Sequence, residues 1–470
     1  MAAGSFDMVV IGAGPAGAFA ALRAASLGAR TALVTNGALG GMAANDGPIP
    51  VRTLAHAARL VRDARGLGRY GIAGCDPVLD YPRLLQRVAE VVEETGRHST
   101  LRPQLDAAGV TILENVGPAR FKSEHVIAMA DGRRLQCGQA IVCTGGVHRS
   151  LPIPGFDLTA THSDAWGLQS VPESMLIVGG GATGLQVASV FNAFGTRIDL
   201  FEAHDRILRT EDEDVAVAVE QGFRARGITI HSGFGVIDCF EKVADGVAMH
   251  FSRDGQAFVA QAALIVTALG WVAQTEALDL AAAGVAINAR GFIQVDGQLR
   301  TTAPGIYAAG DVTGRLMLAP QAIQDGIRAA TNALSSTPSP QPAAVNPMGS
   351  FTDPEYAQVG LTEAQARDGH EVEVALVRFD ETTRPIIDGR TEGFCKLIAD
   401  PATGRMLGCH IVGERAVDTV QIAAVAMAAS MTVSDFARIP LAFPTYAGAL
   451  ARAATTLDTR MQVTAAQTRA

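Results

Sequence analysis

Phe6–Leu27, FDMVVIGAGPAGAFAALRAASL, is the stretch that decides the fold. Phe6 to Ile11 is an apolar run with the length of a buried strand. Gly12-Ala13-Gly14-Pro15-Ala16-Gly17 is a glycine turn, and the alanine-rich segment after it predicts a helix to about Leu27. Each glycine in such a unit has its own task. Gly12 permits the tight turn, Gly14 lets the backbone approach a pyrophosphate, and Gly17 lets helix and strand pack closely. The unpaired N–H groups and positive dipole end at the helix start favour phosphate. The pattern therefore predicts a dinucleotide-binding unit.

The next strand, Thr31–Val34, should end in an acid that holds a ribose, but Thr35 stands there and offers only a hydroxyl. A second copy of the design follows. Ser174–Val178 reads as the strand, Gly179-Gly180-Gly181-Ala182-Thr183-Gly184 as the turn, a helix runs to about Phe194, and Ile198–Phe201 leads into Glu202. Glu202 lies at the same interval from Gly179 as Thr35 from Gly12. Glycine patterns do not recur by chance with their strands attached, so two dinucleotides are expected. Glu202 favours NADH, because a carboxylate accepts ribose hydroxyls and repels a 2′-phosphate. His204 and Arg206 read mainly as surface residues, and NADPH stays possible if they reach the ribose. A third landmark, Gly305–Asp311, reads as a buried strand opening on an acid, with a helix from near Ala319 to Leu334 after it. Ser335–Pro347 is a Pro/Ser-rich linker.

A chain of 470 residues exceeds the size of one hydrophobic core, so several domains are expected. The net charge of −9 argues against a nucleic-acid partner, which usually requires a basic face. The six cysteines, Cys75, Cys137, Cys143, Cys239, Cys395 and Cys409, include no sequence-adjacent dithiol and no zinc spacing; each reads as a small buried hydrophobe, and no metal is expected. The N-terminal apolar run lacks a basic leader and enters a glycine turn, so it reads as a strand rather than a signal, and a cytoplasmic protein is expected. No apolar stretch approaches the ~20 residues of a bilayer span, so no membrane insertion is expected.

Together these motifs resemble the pyridine nucleotide–disulfide oxidoreductase family, the flavoproteins that include dihydrolipoamide dehydrogenase, glutathione reductase, mercuric reductase and soluble transhydrogenase. The resemblance extends through Gly40-Gly41, Ile49-Pro50, Cys143-Thr144-Gly145, Ala268-Leu269-Gly270, Gly310-Asp311, Phe351–Glu355, Val359–Glu363 and Gly408–Gly413. It implies an α/β fold of two Rossmann-like dinucleotide-binding domains, glutathione-reductase-like, with a C-terminal α+β dimerisation domain and hence a homodimer. The implied boundaries are 1–155 for the first part of the FAD domain, 156–275 for the NAD domain, 276–345 for the return to the FAD domain with the linker, and 346–470 for the interface domain. It implies FAD on Gly12, Gly14, Gly17, Thr35, Gly41, Arg52, Gly117, Thr144, Gly145, Asp311 and Ala319, with Asp311 at the ribityl chain. It implies NADH, or NADPH, on Gly179, Gly181, Gly184, Glu202, the backbone near Val236, and Gly270.

The departures from the family pattern carry the functional argument. Gly40–Arg52 reads GGMAANDGPIPVR, and the positions matching the family's two redox cysteines are Ala43 and Pro48. Phe443 and Gly448 occupy the positions of the histidine and glutamate that complete the thiol site. Neither alanine nor proline forms a thiolate, so the thiol relay is absent. Arg52 and Gln186 match a lysine–glutamate ion pair near the flavin, which leaves Arg52 without that acid, and Trp271 and Gln274 replace an Arg and an Asn. The expected activity is hydride transfer from NADH to flavin and then directly to a small-molecule electron acceptor: quinone-like, electrophilic, or a nicotinamide nucleotide. The last case would be a soluble transhydrogenase. Ala43, Pro48, Phe443 and Tyr446 are expected to wall the flavin, with Arg52 tuning it and Tyr446 as a candidate proton donor. A flavin-binding scaffold that has lost catalysis is the alternative of another class.

Overall fold

The computed structural model describes residues 4–73, 76–340 and 345–469. Cys75 and part of the linker, 341–344, lie outside them. The chain forms two compact units. One comprises Met1–Thr53, Pro82–Ser150 and Leu269–Ala343; the other comprises Leu54–Tyr81, Leu151–Ala268 and Ala344–Ala470.

The first unit is built on a parallel sheet. Thr111–Leu113, Thr31–Val34, Gly4–Ile11 and Arg134–Val142 lie side by side in that order. Arg134–Val142 is long enough to take two partners on its far edge. Val126–Met129 pairs antiparallel with its start, and Ile306–Ala308 pairs parallel with its end. The strand Gly4–Ile11 buries both faces, as a parallel strand covered by helices must. Val9 and Ile11 enter one core cluster while Met8 and Val10 enter the other. On the second face the helices Pro15–Ser26 and Ala319–Leu334 pack almost backbone to backbone, since a Cβ on Gly326 would lie 2.0 Å from the Ala16 carbonyl oxygen. Their many alanines follow from that proximity; larger side chains would force the helices apart.

The second unit holds a smaller parallel sheet, Thr229–Ser232, Arg197–Glu202, Ser174–Val178 and Leu264–Thr267, with the helix Ala182–Ala193 after the second glycine turn. An antiparallel sheet, Val236–Val243, Gly246–Arg253 and Gln256–Ala262, is appended to it. The C-terminal part of the unit is a five-stranded antiparallel sheet ordered Met348–Ser350, Tyr356–Gly360, Met406–Gly413, Gly393–Ala399, Glu373–Arg378. The helices Ala416–Ala428 and Ala447–Arg469 share its hydrophobic core. Cys395 and Cys409 sit fully buried on neighbouring strands of this sheet, their side chains in hydrogen-bond contact. Two cysteines that looked unrelated in sequence are therefore spatial neighbours. The hydrogen-bond contact with Cys409 and burial push the Cys395 thiol far above the usual range, so Cys395 is held as the unreactive thiol.

Among the described residues no helix is long and apolar enough to cross a membrane.

Candidate functional site

At the carboxyl ends of the first sheet's strands the three glycines occupy three different environments. Gly12 has φ +104°, and a Cβ there would lie 2.2 Å from the Cys143 carbonyl oxygen. A Cβ on Gly17 would lie 1.8 Å from the carbonyl oxygen of Gly12. Around Gly14 a Cβ would meet nothing within 4 Å, and the helix that begins at Pro15 has no side-chain cap on its free N–H groups. The crowded glycines serve the protein; the open one faces space in which a phosphate fits. Gly41, with φ +57°, backs onto Gly14, where a Cβ would come within 2.8 Å of its Cα, and Gly40 N–H donates to Ala13 O at 2.9 Å. The segment Gly40–Arg52 is thus tied directly to the first fingerprint.

The other residues of this rim come from strand ends, as expected for the crevice of a parallel sheet. Thr144 Oγ1 donates to Gln274 O at 2.8 Å and Gln274 N–H donates to Gly145 O at 3.0 Å, so the two segments hold each other. Trp271–Ala273 pairs as a short strand with Gly146–His148, and Gly270 O accepts from Arg149 N–H at 3.0 Å. Asp311 follows the strand Ile306–Ala308; its backbone carbonyl accepts from Gly314 N–H, while burial pushes its carboxyl above the usual range and no donor reaches that carboxyl among the described residues. Such a carboxylate fits a hydroxyl-bearing ligand that supplies the missing donors. Gly117, with φ +69°, packs against Ala130, and Ala319 opens an uncapped helix. Thr35 departs: its hydroxyl accepts from Gly37 N–H at 3.3 Å and turns the chain rather than offering a ribose acid. Taken together, the open Gly14 at an uncapped helix start and the part-buried Asp311 carboxyl fit a ligand that brings both phosphate and hydroxyl groups, as an FAD would, while Thr35 offers no ribose acid.

Arg52 lies half-buried on the helix Pro48–Gly66 and makes an interaction within the chain, so the expectation of a cation left without a partner is corrected. Gln186 is also committed. Its Nε2 donates to Phe351 O at 3.1 Å and its Oε1 accepts from Phe351 N–H at 3.1 Å, a two-point clamp on backbone within the second unit.

The second fingerprint repeats the first in detail. Gly179 has φ +114° against the Ala268 carbonyl, Gly184 is closed off by Gly179 O at 1.9 Å from a built Cβ, and Gly181 is open. Glu202 ends its strand with both oxygens oriented by backbone: Gly180 N–H reaches Oε2 at 2.7 Å and His204 N–H reaches Oε1 at 2.9 Å. These bonds fix the carboxylate beside Gly180 and leave lone pairs for ribose hydroxyls. Gly233 N–H and Phe234 N–H donate to His204 O and Glu202 O, which places the approach to Val236 along the same rim. Arg206 is a staple rather than a free surface cation: its guanidinium donates to the carbonyls of Leu208, Arg209 and Glu211 at 2.9–3.1 Å. Sequence reading missed Arg209, whose exposed guanidinium lies 3.3 Å from both His204 ring nitrogens. Its spacing from Glu202 was visible, but only the turn at Leu208, φ +49°, brings it back.

Tyr446 belongs to the C-terminal core, with its ring against Phe379 and its hydroxyl donating to Asp388 Oδ2 at 3.1 Å. Burial and the Asp388 carboxylate push its phenol above the ordinary range, so it is a poor proton donor. Phe443, three residues earlier, is 81% exposed on its own chain. His56 is exposed, and His162 is buried beside Ser163.

Comparison with known proteins agrees with this architecture. Residues 6–326 match the family described as pyridine nucleotide-disulphide oxidoreductase, and residues 346–454 match that family's dimerisation domain. The dihydrolipoyl dehydrogenase of Chlorobaculum tepidum is 32% identical over 458 residues, covering 96% of this chain and 97% of that one. The mercuric reductase of Bacillus cereus is 29% identical over 96% of this chain and 72% of its own. Among solved structures, the HOCl-induced flavoprotein disulfide reductase RclA of Escherichia coli aligns with TM-score 0.85 at 26% identity, covering 96% and 99% of the two chains. LpdA of Mycobacterium tuberculosis aligns with TM-score 0.86 at 26% identity over the same shares. Members of this family are FAD-dependent and use NAD(P)H. With its two dinucleotide folds and its C-terminal dimerisation domain, the chain belongs to the pyridine nucleotide-disulphide oxidoreductases.

Proposed function

We propose that this chain is an FAD-dependent NAD(P)H oxidoreductase that works without a protein disulfide and reduces a small acceptor directly. The observation that carries the reading is the segment GGMAANDGPIPVR: it adjoins the first fingerprint through Gly41 and Gly14 and contains no thiol. Four of the five described cysteines are buried, Cys143 and Cys137 with raised thiol values and Cys395 and Cys409 inside the C-terminal core; Cys239, contrary to the expectation of a buried hydrophobe, is only part-buried, but it lies on the appended strand Val236–Val243 rather than in the segment Gly40–Arg52. When bound, FAD supplies two-electron acceptance from a nicotinamide and donation to a second acceptor.

The chain's own residues bind and orient. Gly14, Gly41, Thr144, Gly145, Asp311 and the helix starts at Pro15 and Ala319 hold the flavin nucleotide, with Gly12 and Gly17 shaping the turn. Gly181 and Glu202 hold the nicotinamide nucleotide, with Gly179 and Gly184 shaping the turn, and NADH is preferred because a carboxylate accepts ribose hydroxyls and repels a 2′-phosphate. Arg209 beside His204 supports some use of NADPH. Tyr446 serves the fold, given its bond to Asp388. The acceptor is a quinone-like or electrophilic small molecule, or a second nicotinamide nucleotide. The dimerisation-domain match supports a homodimer, and a cytoplasmic enzyme is the reading that goes with it.

Anaerobic titration of the FAD-loaded protein with NADH tests the reading. Prompt bleaching of the flavin absorbance is expected, with stoichiometry of one NADH per FAD and no extra equivalent for a disulfide. An unreactive flavin would favour a scaffold instead. Stopped-flow reoxidation by quinones, oxygen and a nicotinamide analogue then sorts the acceptors; turnover confined to the nicotinamide analogue identifies a transhydrogenase.

A further inference from the structure

The second unit contains a buried ion cluster that the nucleotide chemistry does not use. Lys396, on the strand Gly393–Ala399, has a side chain only 3% exposed, and its ammonium reaches three carboxylates: Asp212 Oδ1 at 2.9 Å, Asp214 Oδ2 at 2.7 Å and Glu363 Oε2 at 2.6 Å. Three donors meet three acceptors, so the tripod is saturated. Asp212 works in several directions at once. Its Oδ1 also caps the helix Glu213–Ala225 through Asp214 N–H at 3.2 Å, and its Oδ2 accepts from Glu363 N–H at 2.9 Å.

Asp212 is also the end of the loop that begins at Glu202. Along this loop Arg206 binds the carbonyls of Leu208, Arg209 and Glu211, Glu211 N–H donates to Leu208 O at 3.0 Å, and Leu208 N–H donates to Gly180 O at 2.9 Å. Gly180 N–H in turn holds Glu202. An unbroken set of bonds therefore runs from Lys396, in the C-terminal sheet, to the carboxylate that reads the ribose. A buried ion cluster is not the cheapest way to hold a core, because desolvation offsets most of its attraction and an apolar replacement is often as stable. What such a cluster does well is fix one geometry.

We propose that Lys396 is a positioning residue for the nicotinamide nucleotide: through Asp212 it sets the conformation of loop 203–211 and so the placement of Glu202 and Arg209. The inference rests on the NAD(P)H reading of that loop. The electrostatics agree, since the three carboxylates hold Lys396 above the usual ammonium range against the effect of burial, and Asp212 and Glu363 are held below the usual carboxyl range.

The test compares the FAD-loaded wild type with Lys396→Met and with Asp214→Asn, whose half-exposed carboxylate is the mildest way to weaken the tripod should Lys396→Met not fold. Expected are a roughly five- to tenfold rise in KM for NADH, the size of coupling through packed networks, with kcat at saturating NADH and FAD content little changed. The NADH-over-NADPH preference should fall, and amide hydrogen exchange over 202–211 should accelerate in the nucleotide-free protein. Lys396→Arg should restore part of the affinity. A folded, FAD-loaded variant with wild-type KM, wild-type preference and wild-type exchange over 202–211 overturns the inference alone, even if its melting temperature has dropped. A wild-type chain that takes up no NADH overturns the nucleotide reading and this inference with it.

Discussion

The six fingerprint glycines divide by what surrounds them, and the division predicts opposite mutant behaviour. Gly17→Ala and Gly184→Ala drive a methyl into a carbonyl at 1.8 and 1.9 Å, so both should destabilise the fold by about 3 kcal/mol or more. Gly14→Ala and Gly181→Ala place the methyl in open space. They should melt like the wild type yet bind FAD and NADH, respectively, at least tenfold more weakly, as read by flavin retention on gel filtration and by KM. Equal affinity in Gly181→Ala would show that no phosphate passes there. Glu202→Ala should raise KM for NADH more than for NADPH, while Arg209→Ala should raise it for NADPH alone; unchanged ratios in steady-state assays would remove both residues from ribose recognition. Tyr446→Phe should cost about 1 kcal/mol through the lost Asp388 bond, with the rate of flavin reduction by NADH unaltered.

At the scale of elements, ion clusters hold the parts of the second unit together, and one of them titrates near neutrality. Glu355 is part-buried, its side chain 15% exposed, with Arg59 Nη1 at 3.7 Å and Glu414 close enough to share the same guanidinium. Burial and the Glu414 carboxylate push Glu355 up to about 7. A folded value above the unfolded one, near ~4.3 for glutamate, means that the folded chain binds the extra proton. The stability this contributes is present below ~4.3 and lost as pH rises to about 7. Glu355→Gln should therefore stabilise at pH 8, by an amount on the order of 3 kcal/mol, and give little change at pH 4; a gain independent of pH in denaturant melts would refute the assignment. The Lys396 tripod has the opposite acid response. Asp212 and Glu363 are held low, so their contribution is present above the unfolded carboxyl value and is lost as pH falls through the folded ones.

For the whole molecule, the prediction is a dimer held through the C-terminal domain, which light scattering after gel filtration would show as twice the 48.8 kDa chain mass. A monomer retaining FAD would contradict it. Much of the architecture was legible from residue order. The strand Thr31–Val34, the strand Ser174–Val178 and the helix end at Leu334 were read directly, because apolar runs, glycine turns and helical starts are local signals. The absence of a thiol between Gly40 and Arg52 is likewise a property of the sequence and needs no structure. Pairings between distant residues were not legible. Nothing local announces that Cys395 meets Cys409, that Gln186 clamps Phe351, or that Lys396 collects acids from two remote segments. Covalent neighbours and spacing determine which elements form and what chemistry they lack. Which side chains spend their hydrogen bonds on the protein, and which keep them for a ligand, is decided only when packing brings distant segments together, because a buried polar group must find its partner wherever the fold supplies one.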